Sequence, residues 1–188
     1  MTTTPLPLPR ARRRLALGAR ASDFGSLLGT DGKTYALASF DASAVLVVVF
    51  NSNRCPTAKA YEPRLIELQD RYAKDAVTIV AINSTDAHLY AEESYEAMVE
   101  HARESRFNFP YLKDERQDAA RQFGAQCTLH AFVLDRERRL RYRGRIDDSR
   151  NPAKVTVSDL RNAIDDVLEG REVRVAETTP FGCALDLS

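Results

Sequence analysis

Cys55 is the residue of this chain whose position most favours chemistry. It stands in the segment NSNRCPTAKAYEP, residues 51–63, between an apolar run and a stretch with helical spacing. A cysteine in the first turn of a helix gains stabilisation of its thiolate from unpaired N–H groups and from the helix dipole, which lower its pKa. Pro56 suits the first helical position, and Arg54 and Lys59 add positive charge. The pattern predicts a nucleophile, and the alternative is a small buried apolar side chain.

Two further cysteines, Cys127 and Cys183, are candidates to complete a redox cycle with Cys55. Either could form a disulfide with oxidised Cys55 if the two α-carbons came within roughly 4.4–6.8 Å of each other. Cys183 is preferred because it lies in a terminal segment that can move over the site or reach a second subunit, whereas Cys127 could instead join Cys55 as a metal ligand. The alternative is that Cys127 fills the core and Cys183 is an unpaired surface thiol.

The elements that must position these cysteines alternate between strands and helices. Two apolar, β-branched runs, SAVLVVVF and AVTIVAI, are typical of central strands buried on both faces. Each leads to a helical pattern, first from Cys55 to Tyr72 and then in SYEAMVEHARES. Two hairpins are expected, one around the turn GTDGK and one joining AFVLD to LRYRGRI. A last helix, TVSDLRNAIDDVLEG, begins at a capping box on Thr156 or Ser158. This order predicts an α/β sandwich of three layers with a mixed sheet.

Length and charge limit the domain organisation and the partners. A chain of 188 residues suits one core, and we expect a flexible tail over 1–20, a domain over 21–170 and a C-terminal arm over 171–188. With 27 basic and 27 acidic residues the net charge is zero, which argues against bulk attraction to nucleic acid or anionic lipid. The longest apolar run falls far short of the roughly 20 residues that cross a membrane. The cysteines, in a chain without an evident secretory signal, favour a cytoplasmic location.

The turn around Cys55 resembles the active-site turn of the thioredoxin superfamily. Cys55 takes the nucleophile position and Ala58 that of the second cysteine, so the CxxC pair is absent. The same turn resembles the peroxidatic turn of peroxiredoxins, with Ser52 in place of the family's threonine. Over nearly its whole length the chain is similar to a bacterial peroxiredoxin-like, thioredoxin-fold group of redoxins in the alkyl hydroperoxide reductase and thiol-specific antioxidant superfamily. The segments that carry this similarity are NRCP, VAINS, FPYLKDE, GAQCT, YRGRIDDSR and TPFGC.

The resemblance implies a thioredoxin-like, three-layer α/β/α sandwich with a central mixed sheet and an N-terminal β-hairpin extension. It also places the segment QCTLHAF opposite Cys55. Leu129 stands where thioredoxins have a cis-proline and peroxiredoxins have an arginine that holds peroxide. Because a cis bond before a residue other than proline costs about 2.5–4 kcal/mol, we expect the bond between Thr128 and Leu129 to be trans.

The implied function is a thiol-dependent oxidoreductase acting on hydroperoxides or protein disulfides, with the peroxidase-like activity favoured because CxxC is missing. A thiol reductant such as thioredoxin would restore it, no cofactor or metal is expected, and a homodimer is allowed. The alternative is a non-catalytic module that binds a protein partner or a metal around Cys55. The predicted catalytic residues are Cys55, Cys183, Cys127 and Ser52, and the predicted substrate-binding residues are Asn53, Pro56, Thr128, Leu129 and Arg145.

Two other patterns carry weaker expectations. Arg139, Arg141, Arg143 and Arg145 occupy alternate positions of a strand and so share one face. A solvated face on an edge strand is favoured over an anion-binding stripe. His130 could join two cysteines as a zinc or copper ligand, although no paired ligand spacing supports it.

Overall fold

The structure, a computed structural model, describes residues 14–187 of the chain. Seven strands form one sheet in the order β2-β1-β5-β4-β3-β6-β7. The strands are β1 (Leu27–Gly29), β2 (Thr34–Tyr35), β3 (Val45–Phe50), β4 (Val77–Asn83), β5 (Tyr111–Lys113), β6 (Ala131–Leu134) and β7 (Leu140–Gly144). The α-helices are α1 (Pro56–Arg71), α2 (Tyr95–Glu104), α3 (Asp118–Phe123) and α4 (Asp159–Leu168). Short 3-10 helices span Leu37–Phe40, Ala91–Glu93 and Pro152–Lys154.

The sheet is mixed, and its centre is β3. This strand pairs in parallel with β4 and antiparallel with β6, and all six of its residues are buried. Valines at positions 45, 47 and 49 pack against α1, α2 and α4, whereas Leu46, Val48 and Phe50 pack on the face that carries α3. Helices therefore cover both faces, and the predicted three-layer sandwich is confirmed.

Both predicted hairpins are present. At the amino-terminal end β1 pairs antiparallel with β2, and β1 also pairs with β5; the second hairpin joins β6 to β7. The start of α4 differs from the prediction. Ser158 is its N-cap but makes no side-chain hydrogen bond there, and the Thr156 hydroxyl donates to Asp148 instead. The predicted capping box is therefore wrong, because Ser158 makes no capping bond and the Asp148 carboxylate engages the Thr156 hydroxyl.

Both ends of the described chain run along the domain. The predicted tail falls partly on residues 1–13, outside the described range, but Leu15 is buried and its N–H donates to the Gln122 carbonyl. The packed part of the chain thus starts before residue 21. At the other end, the arm pairs with β7 through Arg143 and Glu177 and with the loop before β6 through Cys127 and Ala184. Over residues 14–187, no helix has the length and apolar character needed to cross a membrane.

Candidate active site around Cys55

Cys55 is the N-cap of α1, at the carboxyl-end edge of the central parallel strands. Its backbone is extended, with φ −74° and ψ 114°, and Pro56 begins the helix. The sulfur accepts a hydrogen bond from the Ala58 N–H at 3.4 Å and lies 3.2 Å from the Thr128 hydroxyl. Both groups can donate to sulfur, so they are placed to stabilise a thiolate. The residue is only 2% exposed.

A disulfide joins Cys55 to Cys183. The two α-carbons are 6.1 Å apart, and 128 positions separate the cysteines in sequence. The arm docks on the loop opposite Cys55 through backbone contacts at Thr128. The Thr128 N–H donates to the Cys183 carbonyl, and the Thr128 hydroxyl oxygen accepts from the Cys183 N–H, both at 2.9 Å. A Cβ at Gly182 would overlap the Thr128 carbonyl oxygen, so the close approach of the arm requires glycine at that position.

Cys127 is not paired with another cysteine. It is a buried free thiol, and burial raises its pKa to about 11. At neutral pH it is therefore almost entirely protonated, and a protonated thiol is a poor nucleophile. This environment favours the core-filling interpretation of Cys127.

A buried carboxylate, Glu93, holds the turn that precedes Cys55. It accepts hydrogen bonds from the Ser52 hydroxyl, from the backbone N–H of Asn53 at 2.9 Å and from that of Arg54 at 3.1 Å. The amide of Asn83, the last residue of β4, adds a fourth at 2.6 Å. All four partners donate, which suits an ionised carboxylate and offsets its burial.

This arrangement gives two residues predicted from the sequence a partner within the protein. The Ser52 hydroxyl donates to Glu93, so its proton is not directed into the cavity, and its part in orienting a substrate stays a prediction. Asn53 is engaged within the protein as well, since its side chain donates to the Glu92 carbonyl and accepts from the Tyr111 hydroxyl. Both residues hold the turn, because a buried carboxylate attracts the nearest donors.

The loop opposite Cys55 has the expected trans geometry. No peptide bond among residues 14–187 is cis. Leu129 instead has a left-handed backbone, with φ 63°, and its N–H donates to the Phe50 carbonyl at 2.7 Å. Its side chain is buried in the cluster that contains Cys55. Leu129 therefore supplies an apolar wall to the site and no hydrogen-bond donor.

Arg145 lies outside this site. Its guanidinium donates to Asp159 at 2.7 Å and does not line the cavity beside Cys55, so its part in substrate binding stays a prediction. Arg141 and Arg143 of β7 are also engaged with carboxylates, Asp135 and Glu177 respectively. These three arginines are thus ion-paired and mostly covered rather than solvated.

A cavity of about 220 Å³ opens beside the disulfide. Arg54 lies at this cavity and is exposed, with its guanidinium stacked 3.7 Å from the centre of the Tyr90 ring. The lining residues include Ser52, Arg54, Cys55, Pro56, Thr85, Tyr90, Thr128, Cys183, Ala184 and Asp186. Of the predicted substrate-binding residues, the cavity brings together Pro56 and Thr128.

The family model described as Redoxin matches residues 16–164 of the chain. The chain belongs to the Redoxin family. This redoxin is therefore a thiol oxidoreductase in the general sense, with thiol-based redox partners, and the family resemblance of its sequence is confirmed. No curated protein matches it at a significant level.

Several solved structures share the fold of this chain. A hypothetical protein from Sinorhizobium meliloti is 39% identical, with a TM-score of 0.86, over 94% of this redoxin and 97% of that chain. An uncharacterized conserved protein from Geobacillus kaustophilus is 35% identical, with a TM-score of 0.86, over 97% and 98%. The bacterioferritin comigratory protein of Xanthomonas campestris shares the fold at 18% identity, with a TM-score of 0.59, over 83% and 96%.

Sequence reasoning missed Glu93 and Tyr90. Glu93 follows Cys55 by 38 positions and lies in an acidic stretch that resembles an ordinary solvated loop. The available signal was Asn83, a polar residue at the end of a buried strand, because such a residue needs a partner. Tyr90 carried no signal of its own.

Proposed function

We propose that this protein is a two-cysteine thiol peroxidase. The Cys55 thiolate attacks the terminal oxygen of a hydroperoxide, which gives a cysteine sulfenic acid and releases an alcohol or water. The Cys183 thiol then attacks that sulfenic sulfur, forming the disulfide and expelling water. Two external thiols, such as those of thioredoxin, reduce the disulfide and complete the cycle. The need for a reductant suits a reducing compartment such as the cytoplasm.

The observation that carries this proposal is the position of Cys55. It caps a helix, receives two donors to its sulfur and lies within disulfide reach of a cysteine on a separate arm. A buried apolar cysteine would require none of these. The arm supplies the second thiol that an absent CxxC pair cannot.

A hydroperoxide fits this site better than a protein disulfide. The cavity beside the sulfurs is small, and the arm covers the backbone of the loop opposite Cys55. A hydroperoxide needs little room, whereas a protein segment must displace the arm before it can contact Cys55. Exchange with protein disulfides remains a second candidate, supported by the mobility that the arm would gain after reduction.

A non-catalytic binding module is the candidate from a different class. One observation favours it, namely that the Ser52 hydroxyl and the turn N–H groups are directed to Glu93. These donors are not free to hold a peroxide, which predicts slow turnover at best. For a module that binds metal the support is weaker, because the described part of the chain contains no cluster of three or more candidate ligands.

The proposal is tested with reduced protein and one equivalent of hydrogen peroxide. We expect formation of the intramolecular disulfide, a stable sulfenic acid in Cys183→Ser and no reaction in Cys55→Ser. Cys127→Ser is the matched control and should react like the wild type. Unchanged peroxide consumption in Cys55→Ser would contradict the proposal. Reduction of insulin disulfides, without reaction with peroxide, would favour the second candidate.

A further inference from the structure

The two sulfurs of the disulfide differ in accessibility. Both cysteines line the cavity, but Cys55 is only 2% exposed, whereas Cys183 is only partly buried. A thiolate must reach one sulfur to reduce the bond, and the other sulfur must leave with the electron pair. Access therefore selects Cys183 as the sulfur that is attacked.

The leaving group is also defined by the structure. The Cys55 sulfur already accepts from the Ala58 N–H and lies beside the Thr128 hydroxyl. These donors and the start of α1 stabilise Cys55 as a thiolate, and a stabilised thiolate leaves faster. Among the described contacts no such donor points at the sulfur of Cys183. The stability of the departing Cys55 thiolate and the accessibility of the Cys183 sulfur therefore both favour attack on Cys183.

The cavity in front of Cys183 carries two opposite charges. The Arg54 guanidinium is held against Tyr90 at 3.7 Å, and the described residues give it no carboxylate partner. Asp186, exposed on the arm, lines the same cavity. A guanidinium fixed in this way is ready to receive a carboxylate, and Asp186 can receive an ammonium group.

We infer that this cavity binds a small amino-acid-like thiol as a reductant of the disulfide. The ligand's carboxylate would contact Arg54 and its ammonium group Asp186, which brings its sulfur to Cys183. This inference rests on the proposed function and names the chemical class of its reductant. The reductant inferred here is a small molecule rather than a protein dithiol, because a cavity of about 220 Å³ admits only a small molecule while the arm is docked.

The reaction proceeds in two exchanges. The incoming thiolate attacks the Cys183 sulfur, the disulfide breaks, and Cys55 departs as a thiolate, so that a mixed disulfide forms on Cys183. A second thiolate attacks the sulfur of the bound small molecule and releases Cys183 as a thiolate. Two small thiols are thereby oxidised to their disulfide, and the protein gains two electrons.

A series of thiols of different charge tests the binding part. The disulfide is formed first and verified by mass spectrometry, and the rate of its reduction is then compared for cysteine, 3-mercaptopropionate, cysteamine and 2-mercaptoethanol, each corrected for its thiolate fraction. We expect cysteine to be fastest and Arg54→Gln to reduce its advantage by roughly threefold, an effect that weakens in high salt. Asp186→Asn should slow cysteine and cysteamine but not 3-mercaptopropionate.

Lys59→Gln is the matched control. It removes a nearby exposed cation that does not line the cavity, so the order of the four thiols should be unchanged. Equal corrected rates for all four thiols would overturn the inference while leaving the proposed function intact. If peroxide never produces the disulfide, the proposed function fails instead.

The direction of attack is tested separately. Reduction is stopped early with an alkylating reagent, and the mixed disulfide is located by peptide mass spectrometry. We expect the small thiol on Cys183 and the alkyl group on Cys55. The reverse pattern would overturn the assignment of Cys183 as the attacked sulfur.

Discussion

Replacing Glu93 by glutamine tests whether one buried carboxylate holds the turn before Cys55. Glu93 is fully buried, and each of its oxygens accepts two of its four hydrogen bonds. A glutamine offers one oxygen and one NH₂ group, so a backbone N–H of Asn53 or Arg54 must face another donor. A buried donor left unsatisfied costs about 1–3 kcal/mol, and a bond to a charged acceptor contributes about 1.5–3 kcal/mol. Together these two contributions should lower the free energy of unfolding by about 2.5–6 kcal/mol.

The assay is urea unfolding of the oxidised protein, followed by circular dichroism and linear extrapolation. Asp114→Asn is the matched control, because Asp114 is equally buried but accepts from Ser84 and Ala120 on one oxygen only. Asparagine can keep both bonds, so this variant should lose less than about 1 kcal/mol. Equal losses in the two variants would refute the reasoning, since removal of a buried charge would then explain both.

Four further predictions concern the arm, the loop opposite Cys55 and the buried titratable groups. Gly182→Ala should slow peroxide-driven disulfide formation at least tenfold without changing alkylation of reduced Cys55, because its Cβ would overlap the Thr128 carbonyl oxygen; mass spectrometry measures both. Thr128→Val keeps the side-chain shape but removes the hydroxyl beside the sulfur, so the midpoint of Cys55 alkylation should move up by about half to one pH unit. Cys127, whose pKa burial raises to about 11, should resist alkylation at pH 8 until the protein is unfolded. Burial lowers the pKa of His130 from 6.5 to about 4, so between these pH values the imidazole is neutral in the folded protein and takes up a proton on unfolding. The free energy of unfolding should therefore be unaffected by this group above pH 6.5 and fall by about 3 kcal/mol as the pH drops towards 4. This loss should be absent in His130→Gln.

The fold was predictable because its central strands carry an unambiguous pattern. Six consecutive apolar residues in β3 can be buried on both faces only if helices cover both sides of the sheet. Chain ends are harder to predict, since their packing depends on a surface that the rest of the fold creates. Leu15 illustrates this, because it packs on the cluster around α3.

The site was predictable where the chemistry is local. Cys55 and Pro56 meet the start of a helix because that geometry depends on adjacent residues. The direction of the Ser52 hydroxyl depends on Glu93, which the 3-10 helix after β4 brings to the turn. Arg145 likewise reaches Asp159 only because β7 and α4 are neighbours. Such long-range partners leave no trace in the sequence around the residue concerned.

The disulfide between Cys55 and Cys183 links the redox state of the protein to its folding. It spans 128 positions. A cross-link over a loop of that size lowers the conformational entropy of the unfolded chain, which raises the free energy of the unfolded state by about 5 kcal/mol. Because the thermodynamic cycle must close, folding favours formation of the bond by the same amount. A cell that reduces this protein therefore also lowers its resistance to unfolding and to proteolysis, so the lifetime of the protein would report the oxidant supply that it encounters.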